Sequence, residues 1–352
     1  MLITLVSFLI VLAIIIIAHE FGHFFTAKLF HVKVEEFSLG FPPRLFSVRR
    51  GETKYSLSAV PLGGFVKMAG EEDPNVLGSL AGKGILPRLA IISAGPLMNF
   101  LLPVLLLSIA FMIPHNQIIG QVAVTEVATN SPAAISGITP GDIVLSINGK
   151  EVHNAADLQR NIHLSLGEQA ILTLEHSDST TEDIAVIPRW RPPKGQGAIG
   201  IVIKQENPAV VRESSPFWKA IPMGIVASVE ALGIFKNGIM MMILGSAPIA
   251  ITGPVGIAQI TGEFARIGIV PLLEFAAFLS INLGIINMFP IPALDGGRIA
   301  FILIEAIRRG RRVSPKVERL VHSIGFILLI AAILTVTCQD ILRIINGESL
   351  LP

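Results

Sequence analysis

The opening residues decide most of what this chain can become. From 2 to about 18 there is no charged side chain, and with Met1 the run reads MLITLVSFLIVLAIIIIA. A helix of that length rises about 26 Å, close to the roughly 30 Å of a bilayer's hydrocarbon core. A secretory leader has a basic start and a small-residue cleavage site after its apolar core. Here no Lys or Arg precedes the run, and a charged, His-bearing stretch, HEFGHFFTAKLF, follows it. The expectation is an uncleaved first span.

Composition agrees. The chain is 51% hydrophobic and 15% charged, whereas soluble domains carry roughly 25% charge, so a soluble enzyme with one large core is excluded. Further spans are expected at 89–113, about 270–289 and about 321–345, each near the 20 residues that a crossing helix needs. Lys and Arg total 27 against 26 Asp and Glu, which leaves no net field to attract nucleic acid or another polyanion. Cys338 is the single cysteine, so any metal must be held by His and carboxylates.

Charge is not evenly spread. Residues 28–88 hold nine Lys or Arg, from Lys28 to Arg88, and Arg308, Arg309, Arg311, Arg312, Lys316 and Arg319 crowd the connection before the last span. Basic loops mark the cytoplasmic side, which puts both connections inside and both termini outside. Residues 115–205 read differently: VAVTEV, IVLSING, AILTLEH and DIAVIP alternate like strands, with a turn signal at Asn148-Gly149. They are expected to form a soluble α+β domain outside the cytoplasm, followed by a polar link over 206–216. Residues 217–249 are apolar but interrupted by Lys219, Glu230 and Lys236, so a span and an interfacial helix are both admissible.

His19-Glu20-Phe21-Gly22-His23 matches H-E-x-x-H. Residues four apart share a helix face, so both imidazoles can reach one zinc while Glu20, one step round, reaches a water beside it. Ionisable groups inside an apolar span are costly and usually functional. A catalytic zinc normally takes a third protein ligand. The position six beyond His23 is Leu29, His31 belongs to the basic loop, and Glu35 or Glu36 lies a short distance past the helix. Asp295 is the remaining candidate, in Asn287-Met-Phe-Pro-Ile-Pro-Ala-Leu-Asp295-Gly-Gly. There Pro290 and Pro292 break a helix where a carboxylate must turn inward.

HExxH in the first span with NxxPxPxLDG in a later one resembles the site-2 protease family of intramembrane zinc proteases, and the inserted domain makes the chain similar to the bacterial RseP type. Ser131-Pro-Ala-Ala134 and Pro140-Gly141-Asp142 in that domain resemble a bacterial PDZ pattern, with one PDZ where proteobacterial relatives often carry two. The resemblance implies a polytopic α-helical membrane protein with four transmembrane helices, an inserted PDZ-like α+β domain and a cytoplasmic-side β-hairpin. The expected boundaries are a first span at 1–30, a re-entrant loop at 31–88, a second span at 89–113, and the PDZ-like domain at 115–205. Linker and interfacial helices follow at 206–269, then a third span at 270–307, a basic loop at 308–319 and a fourth span at 320–346.

The resemblance further implies Zn2+ held by His19, His23 and Asp295, with Glu20 as general base for peptide hydrolysis. Both ligand-bearing helices then run parallel, which requires one crossing between them and leaves 217–249 on, or re-entering, the outer face. The alternating stretch 55–68 turns at Pro61-Leu-Gly63-Gly64 and resembles the family's membrane-reentrant β-loop. It can add a substrate strand by backbone pairing at Gly63, Gly64 and Phe65. Asn99, in Gly95-Pro96-Leu-Met-Asn99, and Asn287 are implied to bind the extended substrate or to support the site. The implied substrates are single-span membrane proteins such as anti-sigma factors or signal-peptide remnants in the bacterial inner membrane, with a possible peptide ligand for the PDZ-like domain. A zinc transporter or metal-sensing membrane protein is the rival, but it gives no reason for a Glu beside the first ligand.

Overall fold

The computed structural model describes residues 2–246 and 252–346 and divides the chain into two compact units. The first takes residues 1–110, 221–228 and 251–352, and the second takes 111–220 and 229–250. Within the expected interfacial segment, residues 247–249 lie outside the described residues.

The first unit begins with α1 (Leu2–Leu29), which runs unbroken through His23. Its buried residues, Val11, Ile15, Ile16, His19, Gly22, His23 and Ala27, recur at helical spacing and form one packed stripe. Leu2, Ile10, Ile14, Ile17, Phe21 and Phe25 stay exposed on the rest of the surface, as befits a helix whose outer solvent is lipid. Helix α2 (Ile85–Met112) starts four residues earlier than the hydropathy suggested, because Arg88 is buried in an ion pair with Glu305 at 2.6 Å. The two helices approach closely where small residues meet. A Cβ on Gly22 would lie 2.2 Å from the Ala94 carbonyl oxygen.

Between them, β1 (Val34–Arg50) and β2 (Thr53–Met68) form an antiparallel pair that is more than the expected hairpin. Each strand bends, so that 36–41 pairs on one side with 64–67 and on the other with 54–60, while 44–50 pairs with 53–58. Four strand segments therefore lie in the order 44–50, 53–58, 36–41, 64–68, and the last is an edge. The alternation of 55–68 gave the turn, but the partner segment 34–41 lay outside the stretch read. A core of Ala27, Val32, Val34, Met68, Leu80, Ile91, Ile92 and Ile302 packs this sheet against the last turns of α1 and the first turns of α2.

The unit is completed by α6 (Pro254–Ile267), α7 (Ile269–Met288), α8 (Asp295–Ile307) and α9 (Pro315–Ile345), numbered in chain order. As expected from Pro290 and Pro292, the helix stops at Met288 and resumes at Asp295.

The second unit holds β3 (His115–Val127), α3 (Pro132–Ile135), β4 (Ile143–Ile147), β5 (Lys150–Glu151), α4 (Ala155–Leu164), β6 (Ala170–Glu175), β7 (Thr181–Val186) and β8 (Ile201–Glu213). Its sheet runs β7-β6-β4-β3-β8, with β5 on β4, over a core that includes Val122, Val124, Ile147, Leu158, Leu172 and Leu174. The stretch 206–213, read from sequence as part of a polar link, is strand: Ala209, Val210 and Val211 pair with Ile119, Ile118 and Gln117. Asn207-Pro208 reads as a breaker, yet it falls at a register shift near Gly120 where a missing N–H is tolerated.

Helix α5 (Phe217–Ile243) contributes to both units. In the second, Lys150 pairs with Glu230, and the Asn237 amide donates to the His163 carbonyl at 2.7 Å. Among the described residues five helices, α1, α2, α5, α7 and α9, are long and apolar enough to cross a membrane by length and composition. The chain is a multi-pass membrane protein with an antiparallel β portion.

Candidate metal centre

His19 and His23 sit on the packed stripe of α1, and both are buried. Their Nε2 atoms are 3.3 Å apart. Asp295, the first residue of α8, brings its Oδ2 to 3.0 Å from His19 Nε2 and 3.3 Å from His23 Nε2. One donor atom from each of the three residues therefore lies at one point, and these atoms all fall within 4.8 Å of one another. Tetrahedral zinc with bonds of about 2.0–2.1 Å separates its ligand atoms by about 3.3 Å, which is the spacing seen here. Asp295 Oδ2 is buried yet makes no hydrogen bond of proper geometry among the described residues. An orphaned carboxylate oxygen facing two imidazole nitrogens fits a cation as the missing partner.

Each of the three side chains is held from behind. His23 Nδ1 lies 2.9 Å from the Ile91 carbonyl oxygen, an acceptor that fixes the proton on Nδ1 and leaves Nε2 bare for a metal. Gly95, one turn on from Ile91, leaves the ring its space: a Cβ there would stand 2.2 Å from His23 Nε2. His19 Nδ1 faces the side chain of Asn99 at 3.2 Å. Asp295 is presented by the turn 289–294, in which Ala293 adopts φ 78°. The Ala293 N–H donates to His322 Nδ1 at 2.9 Å, so α9 braces the turn.

Glu20 follows His19 on α1, beside the sheet. A Cβ on Gly64 would lie 2.9 Å from Glu20 Cγ and 2.8 Å from Ile16 Cγ2, so the edge segment 64–68 begins against the acid. Gly63 packs on the ring of Phe41, and Phe65 is half-buried in the same segment. Asn99 is wholly buried, and its carbonyl accepts from Ser280 Oγ of α7 at 2.9 Å. Asn287 is buried in the last turn of α7.

The other carboxylates considered from sequence are engaged elsewhere. Glu36 is bound by Arg44 at 2.7 Å and by Ser56 at 2.7 Å, and Glu35 pairs with Lys67 at 2.8 Å. In the sequence His322 carries no signal of its place, because a histidine at the start of a span reads as interface solvation and its partner is a distant backbone amide. The Ile91 carbonyl left no sequence signal at all.

The model of peptidase family M50 matches residues 7–332. A protein of Clostridium acetobutylicum carried under a provisional zinc metalloprotease name is 35% identical over 338 residues, covering 95% of this chain and 96% of that one. Zinc metalloprotease RasP of Geobacillus kaustophilus is 29% identical over 421 residues, covering 96% and 97%. Regulator of sigma-W protease RasP of Bacillus subtilis is 28% identical over 435 residues, covering 97% and 99%. With a match that spans most of the chain and includes both halves of the metal centre, the protein belongs to peptidase family M50, the site-2 protease family that its two motifs resemble.

Proposed function

We propose that this chain is an intramembrane zinc endopeptidase that hydrolyses peptide bonds within the membrane segments of single-span proteins, with His19, His23 and Asp295 as the metal ligands. The observation that carries this is the convergence of two imidazole nitrogens and one carboxylate oxygen at tetrahedral ligand spacing. When bound there, zinc supplies Lewis-acid polarisation of the scissile carbonyl. Glu20 takes the proton from the attacking water and passes it to the leaving amide nitrogen. Transport would need the ligands but not a carboxylate placed beside them.

A helical substrate has its carbonyls locked in backbone hydrogen bonds, so it must be unwound before water can attack. The edge segment 64–67 has no second strand partner among the described residues and begins beside Glu20, and addition of a substrate strand there holds the chain extended. Gly63, Gly64 and Phe65 are the positions assigned to this pairing, and Asn287 lines the same end of α7.

Four of the five apolar helices are proposed to cross. Both ligand sets sit at helix ends that must share one depth, so α1 and α7 run parallel and only α2 crosses between them. Support comes from α5, whose Glu230 and Asn237, two turns apart, are tied to Lys150 and His163 of the sheet domain. Basic loops then lie in the cytoplasm and both termini outside, in the cytoplasmic membrane of a bacterium. The domain at 115–205 is read as PDZ-like, serving as a peptide-binding module or a size filter. One relative bears the name regulator of sigma-W protease, which supports anti-sigma-factor-like substrates beside signal-peptide remnants.

The test is Glu20→Gln in purified protein with a single-span model substrate. Zinc content is expected to stay at the wild-type level while cleavage falls by about 100-fold or more, the scale of a lost general base. Undiminished cleavage would overturn the assignment.

A further inference from the structure

Resting on the metal centre proposed above, we infer that Asn99 is the positioning residue for His19: its side-chain oxygen accepts the Nδ1 proton of His19 and so keeps the Nε2 lone pair turned to the metal. A neutral imidazole has one protonated nitrogen and one bare one. His19 Nε2 faces Asp295 Oδ2 at 3.0 Å and His23 Nε2 at 3.3 Å. It must be the bare nitrogen if it is to bind a cation, and the proton then sits on Nδ1. A buried N–H needs an acceptor, and the group facing Nδ1 is the Asn99 amide at 3.2 Å.

As placed, the amide turns its nitrogen to the ring, and its Oδ1 is buried with no hydrogen-bond partner among the described residues. Among the described residues no other side-chain hydrogen bond ties the amide in that sense. Oxygen and nitrogen of such a group exchange by a half-turn about χ2, and the hydrogen-bond network decides between them. The tautomer required of His19 demands the oxygen. The residue itself is fixed more firmly than its amide: Asn99 is 0% exposed, and its backbone carbonyl is held by Ser280 Oγ at 2.9 Å. His23 is treated the same way by the Ile91 carbonyl at 2.9 Å. Both acceptors belong to α2, which would thus set the tautomer of both histidines of α1 while contributing no ligand of its own. The sequence element Gly95-Pro-Leu-Met-Asn99 gains a specific role from this, acting through His19 and not on substrate.

Asparagine can either donate or accept, whereas ionised aspartate only accepts, so the two senses of the bond separate cleanly. The experiment measures zinc affinity of full-length protein in detergent by competition with a chromophoric chelator, for wild type, Asn99→Asp, Asn99→Leu and His23→Ala. Asn99→Leu is expected to weaken zinc binding by about 10- to 100-fold, the usual loss when a ligand's outer hydrogen-bond partner is removed. Asn99→Asp is expected to hold zinc at least as well as wild type. Loss of about tenfold or more in Asn99→Asp would show that Asn99 donates to His19, and would overturn the inference; unchanged affinity in Asn99→Leu would overturn it equally. Where Asn99→Leu does not yield folded protein by size exclusion, the aspartate variant decides alone. His23→Ala guards the underlying reading: wild type that holds no zinc, or His23→Ala that holds it undiminished, refutes the metal centre itself and not merely the part given to Asn99.

Discussion

At the scale of single residues the centre depends on what is absent from one position as much as on what is present at others. Gly95 faces His23 so closely that an added methyl would meet the imidazole nitrogen. Backbone supports Gly95 on one side, since α2 cannot retreat without losing the Ile91 contact to the same ring. Gly95→Ala is therefore expected to displace His23 and lower zinc affinity by at least about tenfold, with little change in helix content by circular dichroism. Zinc affinity equal to wild type would mean that the α1–α2 spacing is looser than described. The meeting of His19, His23 and Asp295, with Glu20 next in sequence, was legible because two short motifs carry these residues and the chemistry limits what such residue types do inside an apolar span. Their supports were not legible. The Ile91 carbonyl has no side-chain signature, and the meeting of His19 with Asn99 depends on how two helices cross.

At the scale of elements, the break between α7 and α8 does what the prolines foretold: it ends one helix at Met288 and lets Asp295 start the next. A carboxylate in the first turn of a helix is also favoured by the helix dipole. The β elements were less transparent. Alternation over 55–68 identified strand, but the pairing of 36–41 on both of its sides depends on contacts made across a bent chain, and the strand 201–213 continues into the stretch expected as a polar link. Helix α5 is the sharpest case. Its composition satisfies a crossing helix, while its Glu230 and Asn237 contact Lys150 and His163, and hydropathy does not register those contacts. Its disposition can be read by labelling single cysteines in a Cys338→Ser background with a membrane-impermeant maleimide. Lys236→Cys is expected to react in intact spheroplasts, and Arg309→Cys only after permeabilisation. Protection of Lys236→Cys together with Arg309→Cys would mean that α5 crosses and that the parallel arrangement of α1 and α7 fails.

At the scale of the whole molecule, the metal centre joins the beginning of the chain to its last third, and the residues between supply the sheet beside Glu20, the supports of α2 and the domain of the second unit. A site assembled from such distant segments forms only when the membrane-embedded fold is complete, which couples zinc binding to folding. The near-balance of 27 basic and 26 acidic residues hides an arrangement in which basic loops sit together while the sheet domain is mixed. The scarcity of cysteine leaves nitrogen and oxygen as the available ligands, and the three that converge are two imidazoles and one carboxylate. X-ray absorption at the zinc edge of the purified wild-type protein tests this most directly, read alongside Asp295→Asn. The expected result is one zinc per chain with two imidazoles and only nitrogen or oxygen neighbours at about 2.0–2.1 Å, and loss of that signal or a changed first shell in Asp295→Asn. A sulfur neighbour, a single imidazole, or a first shell unchanged by Asp295→Asn would contradict a centre built from His19, His23 and Asp295.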